Sequence, residues 1–169
     1  MPRALATQAM ETERQSGAAA PEVKKALKVL GLDESAMANL QIGSVIFANK
    51  PGDGSVREQA ASCQRVLGGC ANICYEFATK RYRSNCVNWG MLPFTLSEGD
   101  EFPCAPGDFI YVPGVKAKVE AGDDTFPATI VHEGGWTRPI TLYLNNTTPE
   151  ERELLLQGCL MNHYAALNQ

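Results

Sequence analysis

Apolar and polar residues follow one another in segments along the chain, and the period of each segment predicts a helix or a strand. Over residues 21–31 the apolar positions recur with a helical period, and Gly31 stands where such a helix ends. The mostly apolar run over 42–48 predicts a buried strand. A glycine-rich loop over 49–54 then leads into a second helix, which we expect over 55–67.

The second half of the chain adds more strands than helices. A helix is predicted over 78–88, and a last helix is predicted from its N-cap Thr148 to about residue 166. The side chains expected on its buried face are Leu154, Leu155, Cys159, Leu160 and Tyr164. The predicted strands lie over 70–75, 109–112, 115–119, 126–132 and 139–144. Over 115–119 apolar and charged residues alternate with a period of two, and residues 122–124 would form the hairpin turn to the strand over 126–132. This order predicts an α/β layered domain.

The length of 169 residues suits one domain and is short for two. Residues 1–20 are rich in Ala, Gln, Ser and Thr and show little periodicity, so we expect a disordered N-terminal arm there. We expect a helical lead-in over 21–41 and the main domain over 42–169.

Composition and charge narrow the classes of function. Hydrophobic residues make up 44% of the chain, and 15 basic residues against 19 acidic ones give a formal net charge of −4. This balance disfavours a nucleic-acid partner, because proteins that bind the phosphate backbone usually carry a basic stripe. No apolar run approaches the ~18 residues of a membrane-spanning helix, and the first residues lack the apolar core of a secretory signal. We therefore expect a soluble, cytoplasmic domain with no nucleic-acid and no membrane partner.

Six cysteines occur, and their spacing favours packed thiols. They stand at positions 63, 70, 74, 86, 104 and 159, and no two form a C-x-x-C pair. Without a secretion signal a disulfide framework is not expected, and the spacing matches neither a zinc site nor an iron–sulfur motif. A thiol-redox or metal protein remains an alternative that rests on the cysteine count alone.

The most informative stretch is GDGSVREQA, residues 52–60, where a glycine-rich turn enters a helix. The first backbone N–H groups of a helix have no partner within it and attract an anion. Ser55 and Glu58 have the S-x-x-E spacing of a capping box. Arg57 stands in the first turn, where a cation opposes the helix dipole, and one explanation is that it binds a carboxylate or a phosphate. The pattern alone favours a capped helix with a solvent-facing arginine.

Two familiar phosphate-binding motifs are absent from this stretch. No G-K-S or G-K-T follows the loop, and G-x-G-x-x-G does not occur. A small carboxylate and a nucleotide therefore both remain candidate ligands. A second polar segment, residues 80–90, holds three cations within four positions. We favour a structural or interface role for it over catalysis, and Arg83, Ser84 and Asn85 would tie the helix end to the neighbouring loop.

Two blocks of sequence, GDGSVREQAASCQRVLGG over 52–69 and KRYRSNCVNWGMLP over 80–93, together resemble the swivel (C-terminal) domain of the aconitase superfamily. In that family a strand runs into G-x-G-S-S-R-E-H-A-A and then R-x-L-G-G, and a second block reads R-I-H-R-S-N-L-x-x-x-G-x-L-P-L. The resemblance extends roughly over 42–168 and includes Pro-Gly-Asp at 106–108. The second block is similar to uncharacterised aconitase-like hydratases, and the length is similar to the small subunit of isopropylmalate dehydratase.

The resemblance implies a three-layer β/β/α fold and a part in a hydro-lyase that removes or adds water on a hydroxy-di- or tricarboxylate. It also implies a [4Fe–4S] cluster on a partner domain or large subunit, with no cofactor bound by this chain and no activity of this chain alone. The family's catalytic base maps onto Ser55, and its carboxylate-binding arginine maps onto Arg57. Substrate contacts are then expected from Ser55, Val56 and Arg57, where helix N–H groups and the guanidinium would stabilise the alkoxide that base catalysis needs.

The sequence departs from the family pattern at three positions, and two of these departures, Val56 and a missing upstream arginine, favour a second hypothesis. Val56 replaces the family's second serine, and Gln59 replaces its histidine. Family members also supply a substrate arginine from an upstream loop, whereas no arginine lies between Arg14 and Arg57 here. The alternative is a non-catalytic carboxylate-binding or interaction domain that keeps the fold and has lost part of the substrate site.

Overall fold

A six-stranded mixed sheet organises the fold in the computed structural model, which describes residues 20–167. The strand order is β1-β2-β3-β6-β5-β4. The strands are β1 (Ser44–Phe47), β2 (Gly69–Cys74), β3 (Leu92–Thr95), β4 (Phe109–Tyr111), β5 (Thr125–Val131) and β6 (Thr137–Tyr143). The helices of the described part are α1 (Pro21–Val29), α2 (Arg57–Val66), α3 (Lys80–Asn88), α4 (Val115–Ala121), α5 (Pro149–Gln157) and α6 (Leu160–Leu167), with a 3₁₀ helix over Glu34–Asn39.

The sheet consists of a parallel half and an antiparallel half. Strands β1, β2 and β3 run parallel, whereas β4, β5 and β6 are antiparallel. The halves meet at one pair of residues, Thr95 on β3 and Tyr143 on β6. Side chains of both halves share one core, in which the ring centroids of Phe94 and Phe126 lie 5.2 Å apart. The two halves of the curled sheet therefore share one hydrophobic core.

Strand β2 is buried on both faces and marks the middle of the molecule. Ala71 and Ile73 belong to the core shared with the antiparallel half. Asn72 points to the opposite side, where it is hydrogen-bonded to Gln64 of α2 and Tyr82 of α3. The order of layers is thus antiparallel strands, parallel strands and helices. This confirms the predicted α/β fold of the swivel-domain type.

Strand β1 is an edge strand, so its predicted burial is wrong. Val45, Ile46 and Phe47 are 38%, 42% and 38% exposed. Phe47 stacks on Phe102 of the β3–β4 connection, with ring centroids 4.3 Å apart. An apolar run specifies a strand without specifying whether it lies at the centre or the edge of a sheet.

Residues 115–121 form helix α4, so the strand and the hairpin predicted in this region are wrong. Val115 and Val119 pack on the core, while Ala117 between them is exposed. This is the i, i+4 spacing of one helix face. Gly122 adopts a left-handed conformation and ends the helix, where a hairpin turn was predicted.

The C-terminal helix begins as predicted but is broken in two. Thr148 caps α5 and forms a complete capping box with Glu151. Gly158, with φ of 89°, ends α5, and α6 follows after a short bend. Most of the predicted apolar face is half-buried, but Tyr164 is 57% exposed, which corrects its assignment to the buried face.

The helical lead-in packs against both edges of the sheet. Val23 and Leu27 of α1 are buried as the helical period predicts, and they cluster with Ile42, just before β1, and with Phe109 of β4. The predicted N-terminal arm lies outside the described residues except for Ala20, and the domain boundaries remain predictions. Within residues 20–167, no helix combines the length and the apolar character needed to cross a membrane.

Candidate active site

The loop over 49–56 connects β1 to α2 and is held against the first turn of α3. Gly52 lies on the side chain of Tyr82, so that a Cβ on Gly52 would stand 2.4 Å from Tyr82 Cβ and 2.6 Å from its Cγ. Gly52 also has φ of +97°, a conformation that L side chains rarely adopt. The backbone N–H of Ala78 donates to the carbonyl of Pro51 at 2.9 Å. The close approach of loop and helix therefore requires glycine at position 52.

The carbonyl oxygen of Gly52 accepts two hydrogen bonds that orient the site. Arg57 Nε donates to it at 3.1 Å, and Thr79 Oγ1 donates to it at 2.9 Å. Arg57 Nη2 also donates to the carbonyl of Asp53 at 3.4 Å. The guanidinium is thus fixed by its own loop, and within residues 20–167 its Nη1 atom has no hydrogen-bond partner.

The predicted capping box of α2 does not form. The helix begins at Arg57, and its N-cap is Val56, which makes no side-chain capping bond. Ser55 lies in a bend before the helix, is exposed, and has no hydrogen-bond partner among residues 20–167. Glu58 accepts a hydrogen bond from Trp89 Nε1 at 3.0 Å instead. The Ser55 hydroxyl therefore remains available to a ligand.

The predicted site residues form one exposed surface segment with cations beside it. Ser55 is exposed, Val56 is 60% exposed, and Arg57 is half-buried. The neighbouring first turn of α3 contains no acidic residue and exposes Lys80 and Arg81. Together with the unpartnered N–H groups at the start of α2, this surface favours an anionic ligand.

The predicted structural role of Arg83 is confirmed. Its guanidinium forms an ion pair with Glu151 at 2.8 Å, and both side chains are at most 20% exposed. It also donates to Thr147 Oγ1 at 2.8 Å and to the carbonyl of Asn146 at 3.2 Å. Arg83 therefore ties α3 to the loop before α5.

Three side chains behind the site form a closed triangle of hydrogen bonds that the sequence did not predict. Asn72 Nδ2 donates to Gln64 Oε1 at 2.8 Å, Gln64 Nε2 donates to the Tyr82 hydroxyl at 2.7 Å, and that hydroxyl donates to Asn72 Oδ1 at 3.0 Å. Asn72 and Tyr82 are only 1% and 3% exposed. The one available signal was an asparagine inside an otherwise apolar strand, since a buried amide must find polar partners.

The described residues do not fit a [4Fe–4S] cluster. Within residues 20–167, no group of three or more His, Cys, Asp and Glu side chains converges as metal ligands would. Burial raises the pKa of the Cys74 and Cys86 thiols to about 12 each, whereas cluster ligands must be thiolates. The same observations give no support to the thiol-redox or metal alternative.

An open cleft of about 560 Å³ lies elsewhere, on the antiparallel half of the sheet. Its lining includes Tyr111, Thr129 and Arg138 and no residue of the loop over 49–56. The candidate site is therefore a surface segment outside this cleft.

Comparisons with known proteins identify the family of the chain. A segment of the chain is 45% identical over 60 residues to aconitate hydratase A of Bradyrhizobium diazoefficiens, and the match covers 35% of this chain and 6% of that protein. The chain thus matches only a small part of the length of this relative. The family model of the aconitase C-terminal domain matches residues 7–99, which include both sequence blocks, the candidate site and more than half of the chain. With its curled α/β sheet and these matches, the chain belongs to the aconitase C-terminal domain family.

Proposed function

We propose that this chain is the swivel domain or small subunit of an aconitase-like hydro-lyase, active together with a domain or partner that carries a [4Fe–4S] cluster. The substrate class is a hydroxy-di- or tricarboxylate, and the reaction removes or adds water. Because the described residues do not fit the cluster, the cluster belongs to the partner in this proposal. We place the complex in the cytoplasm.

The observation that carries the proposal is the free hydroxyl of Ser55. The Oγ of a serine that caps its helix accepts a hydrogen bond from a backbone N–H. Helix α2 begins two residues after Ser55, however, and Ser55 is exposed. The hydroxyl stands before a helix N-terminus and two positions from a guanidinium. Both would stabilise negative charge on Oγ, as a serine base requires.

Each site residue then has a distinct role. In the dehydration direction, Ser55 Oγ, as an alkoxide, accepts the proton from the carbon next to a carboxylate. The electrons of that C–H bond form the C=C bond, and hydroxide leaves the adjacent carbon. The Lewis acid that a leaving hydroxide needs would be supplied by the partner's cluster. Arg57 binds a substrate carboxylate through the donors that its loop does not use, since a guanidinium has five N–H groups. Val56 supplies a backbone N–H and no hydroxyl.

The test is a dehydratase assay of the purified pair. The chain is expected to co-purify with a cluster-bearing protein from its source cells, and the pair is expected to convert a hydroxy-di- or tricarboxylate to its unsaturated acid. Ser55→Ala should lower kcat by roughly 10²- to 10⁴-fold, the usual contribution of a positioned base. Ser62→Ala is the matched control, because Ser62 lies on the same helix and donates to the carbonyl of Gln59. Unchanged kcat in Ser55→Ala would remove serine from the mechanism.

One observation favours the non-catalytic alternative. Arg57 is hydrogen-bonded to the carbonyls of Gly52 and Asp53, so part of its binding capacity is already used. A domain of that kind would bind citrate in calorimetry and lose that binding in Arg57→Ala, while every pair that it forms would lack dehydratase activity. That combination of results would replace the hydro-lyase proposal.

A further inference from the structure

The first turn of α3 contacts Gly52, in the loop before the Ser55–Arg57 segment, at two places, although it lies more than twenty positions further along the chain. Thr79 is the N-cap of α3, and its Oγ1 accepts a hydrogen bond from the backbone N–H of Tyr82 at 3.2 Å. The same Oγ1 donates to the carbonyl of Gly52 at 2.9 Å. One hydroxyl therefore fixes both the helix start and the loop.

The carbonyl of Gly52 connects Thr79 to the Arg57 guanidinium. It accepts hydrogen bonds from both Thr79 Oγ1 and Arg57 Nε, which occupy the two acceptor directions of a carbonyl oxygen. Without the hydrogen bond from Thr79, the carbonyl of Gly52 keeps only the bond from Arg57 Nε. The acceptor that orients the Arg57 guanidinium would then be held less firmly.

Tyr82 holds the other end of the same segment. Its side chain lies against Gly52, and its hydroxyl is bonded to Gln64 on α2 and to Asn72 on β2. Burial raises the pKa of the Tyr82 hydroxyl to about 12, so it stays protonated and keeps donating to Asn72 near neutral pH. Tyr82 thus contacts the loop before Ser55 and the helix after Arg57.

We infer that Thr79 and Tyr82 are positioning residues that hold the Ser55–Arg57 segment in the geometry needed for the hydro-lyase reaction. The inference rests on the proposed function. Neither residue contacts the substrate in this account. Their effect on the reaction comes entirely from where they place Ser55 Oγ and the Arg57 guanidinium, because small misplacements of reacting groups are costly in rate.

Thr79→Val tests the first contact, since it removes the hydroxyl and keeps the shape of the side chain. The matched control is Thr148→Val, which removes the threonine N-cap of α5, a side chain with no hydrogen bond to the loop over 49–56. Both variants lose a helix cap. Only Thr79→Val should accelerate amide hydrogen exchange over residues 53–58 of the full chain, and only it should lower kcat/KM of the purified pair, by roughly 10- to 100-fold. Thr79→Ser, which keeps the hydroxyl, should restore both.

Tyr82→Phe tests the second contact, since it keeps the ring on Gly52 and removes the bonds to Gln64 and Asn72. The matched control is Tyr75→Phe, which removes a tyrosine hydroxyl that donates to the carbonyl of Asp100 at 2.7 Å and has no bond to α2 or β2. Tyr82→Phe should lower kcat and raise KM of the pair, whereas Tyr75→Phe should change neither.

The outcomes separate this inference from the proposed function. Equal exchange rates over 53–58 in Thr79→Val and Thr148→Val would overturn the positioning role, whatever the pair catalyses. Faster exchange with an unchanged kcat/KM would also overturn it, because the segment would then move without consequence for the reaction. If the wild-type pair forms and has no dehydratase activity, the proposed function fails, while the exchange measurement still decides whether Thr79 holds the loop.

Discussion

Replacing Gly52 by alanine probes the contact on which the geometry of the site depends. Two costs add at this position. The first is conformational: Gly52 has φ of +97°, where an L side chain costs about 1–2 kcal/mol. The second is steric, because the new Cβ would stand 2.4 Å from Tyr82 Cβ and 2.7 Å from its Cδ1.

The steric cost cannot be relieved by a small rotation of the ring. Tyr82 is 3% exposed, and its hydroxyl is held by Gln64 and Asn72. Overpacking of this kind usually costs about 1–3 kcal/mol. The expected loss for Gly52→Ala is therefore about 2–5 kcal/mol, a large part of the roughly 5–15 kcal/mol that stabilises an ordinary domain.

Two other glycines separate the two costs in urea unfolding. Gly99 has φ of +91°, and a Cβ at this position would have no neighbouring atom within 4 Å, so Gly99→Ala should show only the conformational cost. Gly54 has neither a positive φ nor a neighbour within 4 Å, and Gly54→Ala should leave stability unchanged or slightly raised. If Gly52→Ala and Gly99→Ala lose the same free energy of unfolding, the packing of Gly52 on Tyr82 is refuted.

Two further predictions concern the stability of the core and of the C-terminal helix. Burial raises the pKa of the Cys74 and Cys86 thiols to about 12, whereas a thiol in the unfolded chain has a pKa of about 8.5. Between these two pKa values the unfolded state binds fewer protons than the folded state. The free energy of unfolding should therefore fall with rising pH, by up to about 1.4 kcal/mol per pH unit for each thiol. In urea unfolding between about pH 8 and pH 10, Cys74→Ala and Cys86→Ala should each make this fall less steep. Arg152 is 8% exposed and donates to the carbonyl of Asp123 and to the carboxylate of Asp124, so Arg152→Met should lower the free energy of unfolding by about 1–3 kcal/mol.

Exposed counterparts serve as controls for both predictions. Cys63 is an exposed thiol, so Cys63→Ala serves as the control for removing a cysteine. Arg138 pairs with Glu101 at 3.2 Å, with side chains 44% and 78% exposed, so Arg138→Met should cost less than about 1 kcal/mol. Slopes that do not differ between the buried and exposed cysteine variants would contradict the first prediction. Equal losses in the two arginine variants would contradict the second.

The segment over 115–119 illustrates how a short pattern can mislead. Val, Lys, Ala, Lys and Val fit a strand by alternation, and the two valines also fit a helix at i and i+4. Five residues hold too little information to separate these periods. Packing on the shared core decides, because a helix buries Val115 and Val119 together and leaves Ala117 exposed.

The capping box illustrates a different failure. Ser55 and Glu58 have the right spacing, but that spacing fixes neither where the helix starts nor what else the side chains can reach. In the fold, Trp89 offers an N–H to Glu58, and α2 begins at Arg57. At Thr148, where Pro149 and acidic residues reinforce the same signal, the capping box does form.

The sequence by itself determined what depends on neighbours along the chain: most strands and helices, the glycine-rich loop, and the adjacency of Ser55, Val56 and Arg57. Only the tertiary structure decided that β1 lies at an edge, that the Ser55 hydroxyl is free, and that Tyr82 joins the loop to α2 and β2. The physical reason is that local backbone preferences act over a few residues. Burial and hydrogen bonding are satisfied by partners that the folded chain brings together from distant positions.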